Sequence, residues 1–132
     1  MTLTVQELIK KAKEAKEKAY APYSGFKVGA AVEAESGIIY TGCNVENSSF
    51  GLSMCAERIA IFKAISKGER KFKKIAVVAN TKGPVSPCGA CRQVMAEFGN
   101  FDVILANDDG EIEQTTVDQL LPGAFDLRRD EN

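Results

Sequence analysis

Val5, Leu8, Ile9, Ala12, Ala15 and Ala19 recur at the spacing of one helix face, behind Thr4-Val5-Gln6-Glu7, which has the form of a capping box. They predict an amphipathic helix that Pro22, Ser24 and Gly25 bring to an end. Its charged run from Lys10 to Lys18, interleaved with Glu14 and Glu17, reads as a solvated face. Phe26 to Glu33 then alternates with period two and places Phe26, Val28, Ala30 and Val32 on one face. A turn at Glu35-Ser36-Gly37 and the run Ile38 to Thr41 complete a hairpin. A polar loop with Asn44, Glu46, Asn47, Ser48 and Ser49 follows. From about Met54 the pattern is helical, with Ile59, Phe62 and Ile65 on one stripe and a stop at Gly68.

Lys74 to Ala79 is apolar on both faces, as expected of a central strand sandwiched between layers. A helix from about Cys88 to Phe98 ends at Gly99, and Val103 to Ala106 forms a further strand. Asp108-Asp109-Gly110 turns that strand into Glu111 to Thr115. Thr116 or Asp118 caps a last short helix that ends at Pro122, and the charged tail from Asp126 is expected to be loose. This order of elements describes an α/β domain: a mixed sheet covered by helices on both faces.

The length of 132 residues fits one such domain, residues 1–132, with 126–132 as the tail. An apolar fraction of 45% and no apolar run long enough to span a bilayer point to a soluble protein with no membrane partner. Met1-Thr2-Leu3-Thr4 leads into a charged segment without a signal pattern, so a cytoplasmic location is expected. A net charge of -1 and a pI near 5.6 lack the basic footprint of a nucleic-acid binder.

The complete absence of His changes the picture most. It removes Ser-His-Asp and Cys-His catalysis, His-based metal sites and His pH switching together. Acid–base work near neutral pH is left to Glu, Asp, Lys, Tyr or Cys, and a tight zinc site must be built mainly from Cys. There are four candidates: Cys43, Cys55, Cys88 and Cys91. Cys55-Ala56-Glu57-Arg58 and Pro87-Cys88-Gly89-Ala90-Cys91-Arg92 both place cysteines in the first turn of a predicted helix. There the free N–H groups and the helix dipole favour thiolate.

Cys88 and Cys91, three apart, share a face. Taken alone they could be a redox pair, and all four cysteines could close a structural zinc site. Cys43, at the end of a strand, is also explained as a small buried hydrophobe. Three cysteines without it leave the fourth zinc position open, as a catalytic metal requires. Residues 55 and 57 are about 200° apart on an ideal helix, so both approach one metal only if it sits off the helix end. That puts Glu57 beside the open position as an acid or base. Arg58, three residues from Cys55, can lean back toward the thiolates and offset their excess negative charge.

The Cys55-Ala-Glu57 and Pro87-Cys88-Gly-Ala-Cys91 segments resemble the three-cysteine form of the zinc deaminase signature. Ala21 to Ser24, Phe26 to Ala31, Gly42 to Asn47, Ser86 to Gln93 and Leu120 to Phe125 extend the resemblance to homotetrameric cytidine deaminases over nearly the whole chain. The resemblance implies a three-layer sandwich with a five-stranded mixed sheet. It also implies hydrolysis of cytidine and 2′-deoxycytidine to the uridines with release of ammonia, in pyrimidine salvage. One zinc per chain would be held by Cys55, Cys88 and Cys91, with Glu57 as proton shuttle. Asn44 and Glu46 match a pair that holds the ribose 3′-hydroxyl, and Phe26 a residue packed near the nucleoside. The Ala56 N–H and the Ser86 carbonyl match backbone contacts to the base. Phe125 matches a ring supplied to a neighbouring subunit's site, which implies a homotetramer with shared sites. Phe50 departs from the pattern, since relatives often carry Tyr there. The blasticidin S deaminases share the zinc motifs, but resemble this chain less in its Asn44-x-Glu46 segment.

Overall fold

Thr4 opens the first helix by accepting a hydrogen bond from the Glu7 N–H at 3.1 Å, so the cap expected there forms. The computed structural model describes residues 4–130, and Met1, Thr2 and Leu3, where the sequence showed no signal pattern, lie outside that range. In chain order the main elements are α1 (Val5–Lys16), β1 (Val28–Ala34), β2 (Ile39–Cys43), α2 (Ala56–Ser66) and β3 (Phe72–Ala79). They are followed by α3 (Gly89–Glu97), β4 (Asp102–Asn107), β5 (Ile112–Thr116), α4 (Val117–Leu120) and α5 (Leu127–Asp130).

The five strands form one mixed sheet in the order β2-β1-β3-β4-β5. Only β3 and β4 run parallel; the other three pairs are antiparallel. On one face Leu8, Ile9 and Ala12 of α1 pack on Ala31, Ala76, Val78, Ile104 and Ala106. On the other, α2 and α3 bury Ala60, Ile61, Cys91 and Met95 against Val32, Ile75, Val77 and Leu105. Central β3 therefore needs apolar side chains on both faces, which is why 74–79 shows no alternation.

Two glycines set the layer spacing. A Cβ at Gly29 would lie 2.0 Å from the Ala12 carbonyl oxygen, and one at Gly42 would lie 2.6 Å from both the Ala56 oxygen and the Ala60 nitrogen. Helix α2 thus lies so close to the sheet that its inner face is largely Ala56, Ala60, Ile61 and Ala64. Of the stripe Ile59, Phe62 and Ile65, Ile65 packs at the core's margin and Ile59 stands against Gly42, while Phe62 is 44% exposed.

Two other boundaries differ from expectation. Helix α1 stops at Lys16, short of Ala19, because the Tyr20 N–H donates to the Asn44 carbonyl and the Glu46 N–H to the Tyr20 carbonyl. A helical Tyr20 could not bridge in this way. Phe26 precedes β1 rather than opening it, and is exposed. In the tail, α5 is tied down where Arg128 donates to the Glu97 carbonyl at 2.8 Å. Residues 131–132 lie outside the described range.

Candidate metal centre and active site

Val28 pairs with Ala79 and Gly29 with Cys43, so the start of β1 and the ends of β2 and β3 meet at one end of the sheet. The loops leaving β2 and β3 both turn there into helices. Cys55 is the N-cap of α2 and Cys88 the N-cap of α3, while Cys91 sits buried in the first turn of α3. The Cys88 sulfur accepts from the Cys91 N–H at 3.4 Å, which locks this first turn.

The three sulfurs lie within 4.8 Å of one another, with Cys55–Cys88 at 3.7 Å and Cys88–Cys91 at 3.4 Å. Tetrahedral zinc with bonds near 2.3 Å sets its sulfurs roughly 3.8 Å apart, so the donor set and its spacing fit that metal. Cys43, half-buried at the end of β2, stands outside the group. Among the described residues the cluster therefore has three cysteines, which removes the four-cysteine alternative.

The electrostatics favour anionic sulfur. The Cys55 thiol is pulled down to about 5, first by its bond from Cys91 and then by the Arg58 guanidinium, whose Nη2 stands 3.3 Å from Cys55 Sγ. Cys91 is pushed up as donor in that bond and by burial. Arg58 thus leans onto the sulfurs as the spacing predicted.

Glu57 is 4% exposed, and burial is the main cause that pushes its carboxyl above the usual range. The neighbouring Cys55 charge acts in the same direction. A carboxyl displaced in this way holds and returns a proton nearer neutral pH than an exposed one.

These groups open onto a cavity of about 270 Å³. Phe26, Asn44, Glu46, Ala56, Glu57 and Ser86 line it together with Cys55 and Cys88, so most of the expected site residues converge. Asn44 ties the wall together: its Oδ1 accepts from the Val28 N–H and its Nδ2 donates to the Phe26 carbonyl, each at 2.8 Å. Arg92 of α3 holds the opposite wall by donating to the Pro87 and Leu120 carbonyls and to the Ser86 hydroxyl.

Phe125 is the exception. It does not line this cavity; it is 64% exposed beside Pro122, Gly123 and Ala124, and its carbonyl accepts from Gln93. Val28, Ser53, Met54 and Val85 complete the lining and were not singled out from the sequence. Val28 and Met54 read there as an ordinary strand residue and the start of a helix, and Ser53 and Val85 lie in loops without periodicity.

A family model described as the cytidine and deoxycytidylate deaminase zinc-binding region matches residues 3–107. A cytidine deaminase of Sporosarcina psychrophila is 61% identical over 125 residues, covering 93% of this chain and 92% of its own. One from Halalkalibacterium halodurans is 57% identical over 122 residues, covering 91% and 92%. The crystal structure of cytidine deaminase from Burkholderia pseudomallei matches with a TM-score of 0.91 at 54% identity, covering 93% of this chain and 100% of that one.

Proposed function

The chain belongs to the cytidine and deoxycytidylate deaminase zinc-binding family, and within it we propose hydrolytic deamination of free cytidine and 2′-deoxycytidine to uridine and 2′-deoxyuridine. The observation that carries this reading is the three-sulfur cluster with buried Glu57 at the mouth of one cavity. Cys55, Cys88 and Cys91 would hold one Zn²⁺, which when bound supplies a Lewis acid able to make water nucleophilic near neutral pH.

Glu57 has the chemistry of the proton carrier. It takes a proton from the attacking water, gives it to N3 of the pyrimidine, and passes one to the departing ammonia as the C4–N bond breaks. The Ala56 N–H and the Ser86 carbonyl offer one donor and one acceptor to the base. Phe26 covers the nucleoside, and Asn44 and Glu46 face its sugar. Arg58 offsets the excess charge of three thiolates.

Glu46 also sets substrate size. A carboxylate that accepts the nucleoside's 3′-hydroxyl would face the next phosphate of a polynucleotide. Two such charges about 5 Å apart repel by roughly 3 kcal/mol at an effective dielectric constant near 20. Free nucleosides should therefore turn over while cytosine in single-stranded DNA does not, a comparison that one assay with both substrates makes.

Exposed Phe125 and the exposed Phe62 of α2 support a homotetramer with shared sites. No described helix is long and apolar enough to cross a membrane, which is consistent with a cytoplasmic enzyme. The decisive experiment is ammonia release from cytidine, measured with zinc content per chain. About one zinc and activity lost on chelation is the expected result, and full activity without metal would overturn the reading.

A further inference from the structure

We propose that Ser24 is a positioning residue for the sugar: it holds the Glu46 carboxylate in the orientation from which that group accepts the nucleoside's 3′-hydroxyl. The inference rests on the nucleoside reading of the cavity and extends it to a residue outside the lining.

Glu46 Oε1 accepts from the N–H groups of Tyr23 at 3.0 Å and Ser24 at 3.1 Å, while Oε2 accepts from the Ser24 hydroxyl. An ionised carboxylate has about four acceptor positions. One turn of chain, 22 and 23 residues away in sequence, fills three of them and leaves one, on Oε2. Glu46 lines the cavity. The same Ser24 oxygen accepts from the Phe26 N–H at 3.0 Å, which leaves its own hydrogen directed at Glu46.

The turn is itself anchored. Tyr23 shares a 2.5 Å hydrogen bond with the Ser48 hydroxyl, and its ring meets Phe50 edge-on at 6.1 Å. The Ser24 hydroxyl is also the main cause that keeps Glu46 below the ordinary carboxylate range, and so a hydrogen-bond acceptor in mild acid. Loss of the hydroxyl releases Oε2 while both backbone bonds to Oε1 remain. The carboxylate can then pivot about Oε1 and swing Oε2 out of line, but the exposed loop keeps its course.

The test compares the wild-type holoenzyme with Ser24→Ala and Ser24→Thr, using cytidine and 3′-deoxycytidine as substrates and zinc content as a control. Ser24→Ala should raise KM for cytidine about tenfold with kcat nearly unchanged, the size expected for one bond to a charged group. It should leave the constants for 3′-deoxycytidine unmoved and shift the acid limb of 1/KM for cytidine to higher pH. Ser24→Thr, which keeps the hydroxyl, should restore the wild-type values. A loss shared equally by both substrates, or an unchanged KM, overturns the proposal. If the wild type fails to distinguish the two substrates, Glu46 does not bind the 3′-hydroxyl and the proposal falls, while cytidine deamination stands. If cytidine releases no ammonia at all, the nucleoside reading falls and takes the proposal with it.

Discussion

Glu57→Gln keeps the side chain's volume and one carbonyl oxygen but cannot carry a proton. Cys55, Cys88 and Cys91 are untouched by it, so zinc should stay bound while kcat falls by about 10²–10⁴-fold, the usual contribution of a positioned acid–base group. Metal analysis beside steady-state kinetics checks both halves. A second expectation concerns the metal-free protein. With Cys55 pulled down to about 5, its thiolate form predominates at pH 6. Cys91, buried and pushed up, stays a thiol. Iodoacetamide at pH 6 after chelation should therefore label Cys55 well before Cys91, and peptide mass spectrometry reads the order. Labelling of Cys55 should fade only as the pH drops through 5, the side on which a depressed thiol regains its proton. At this scale the sequence is most legible where chemistry is packed into short motifs, as in Cys55-Ala-Glu57 and Cys88 to Cys91. It is silent where partners are distant along the chain. Nothing near Glu46 announces that Tyr23 and Ser24 bind its carboxylate, since a loop alone brings them together.

The elements follow from periodicity, and their errors have physical causes. The capping of α1 and the shared face of Val28, Ala30 and Val32 in β1 are local signals that reappear in the structure, although β1 is buried on both faces from Gly29 onward. The inner face of α2 is hard to read because side-chain size misleads where backbones touch: against Gly42 lie backbone atoms of Ala56 and Ala60 and the Cβ of Ile59, while the bulky Phe62 turns outward. Gly42→Ala tests this directly. Its Cβ would meet backbone atoms of Ala56 and Ala60 at 2.6 Å, and backbone cannot step aside as a flexible side chain can. Overpacking of this kind costs about 1–3 kcal/mol, or roughly 4–11 °C in Tm for a domain of this size. The strain lands on the first turn of α2, which carries Cys55 and Glu57. Zinc affinity should therefore fall along with stability, as a metal-dependent melting curve would show. An unchanged Tm would mean that the sheet and α2 can separate freely.

At the scale of the whole molecule, one chain leaves its surface unfinished. Phe125 is 64% exposed and Phe50 is 74% exposed, and the outer side of α2 carries Phe62 half in solvent. The layer architecture was legible because it is set by each element's two faces. The proposed assembly has no such signal, because periodicity within one chain does not mark a surface for another copy, and the resemblance alone suggested it. Phe125 sharpens the question. Gln93 pins its carbonyl, so the ring projects from a held position and yet lines no part of its own chain's active cavity. On the proposed shared-site reading the ring would stack on the base in a neighbouring subunit's site, a contact worth roughly 1–3 kcal/mol. Phe125→Ala should then raise KM for cytidine about ten- to a hundredfold with zinc content intact, and should weaken assembly. If Phe125 served only its own chain, the variant would lower Tm and leave KM nearly unchanged. Sedimentation of the wild type completes the test: the active species should carry four times the 14.3 kDa chain mass, and a fully active monomer would refute shared sites.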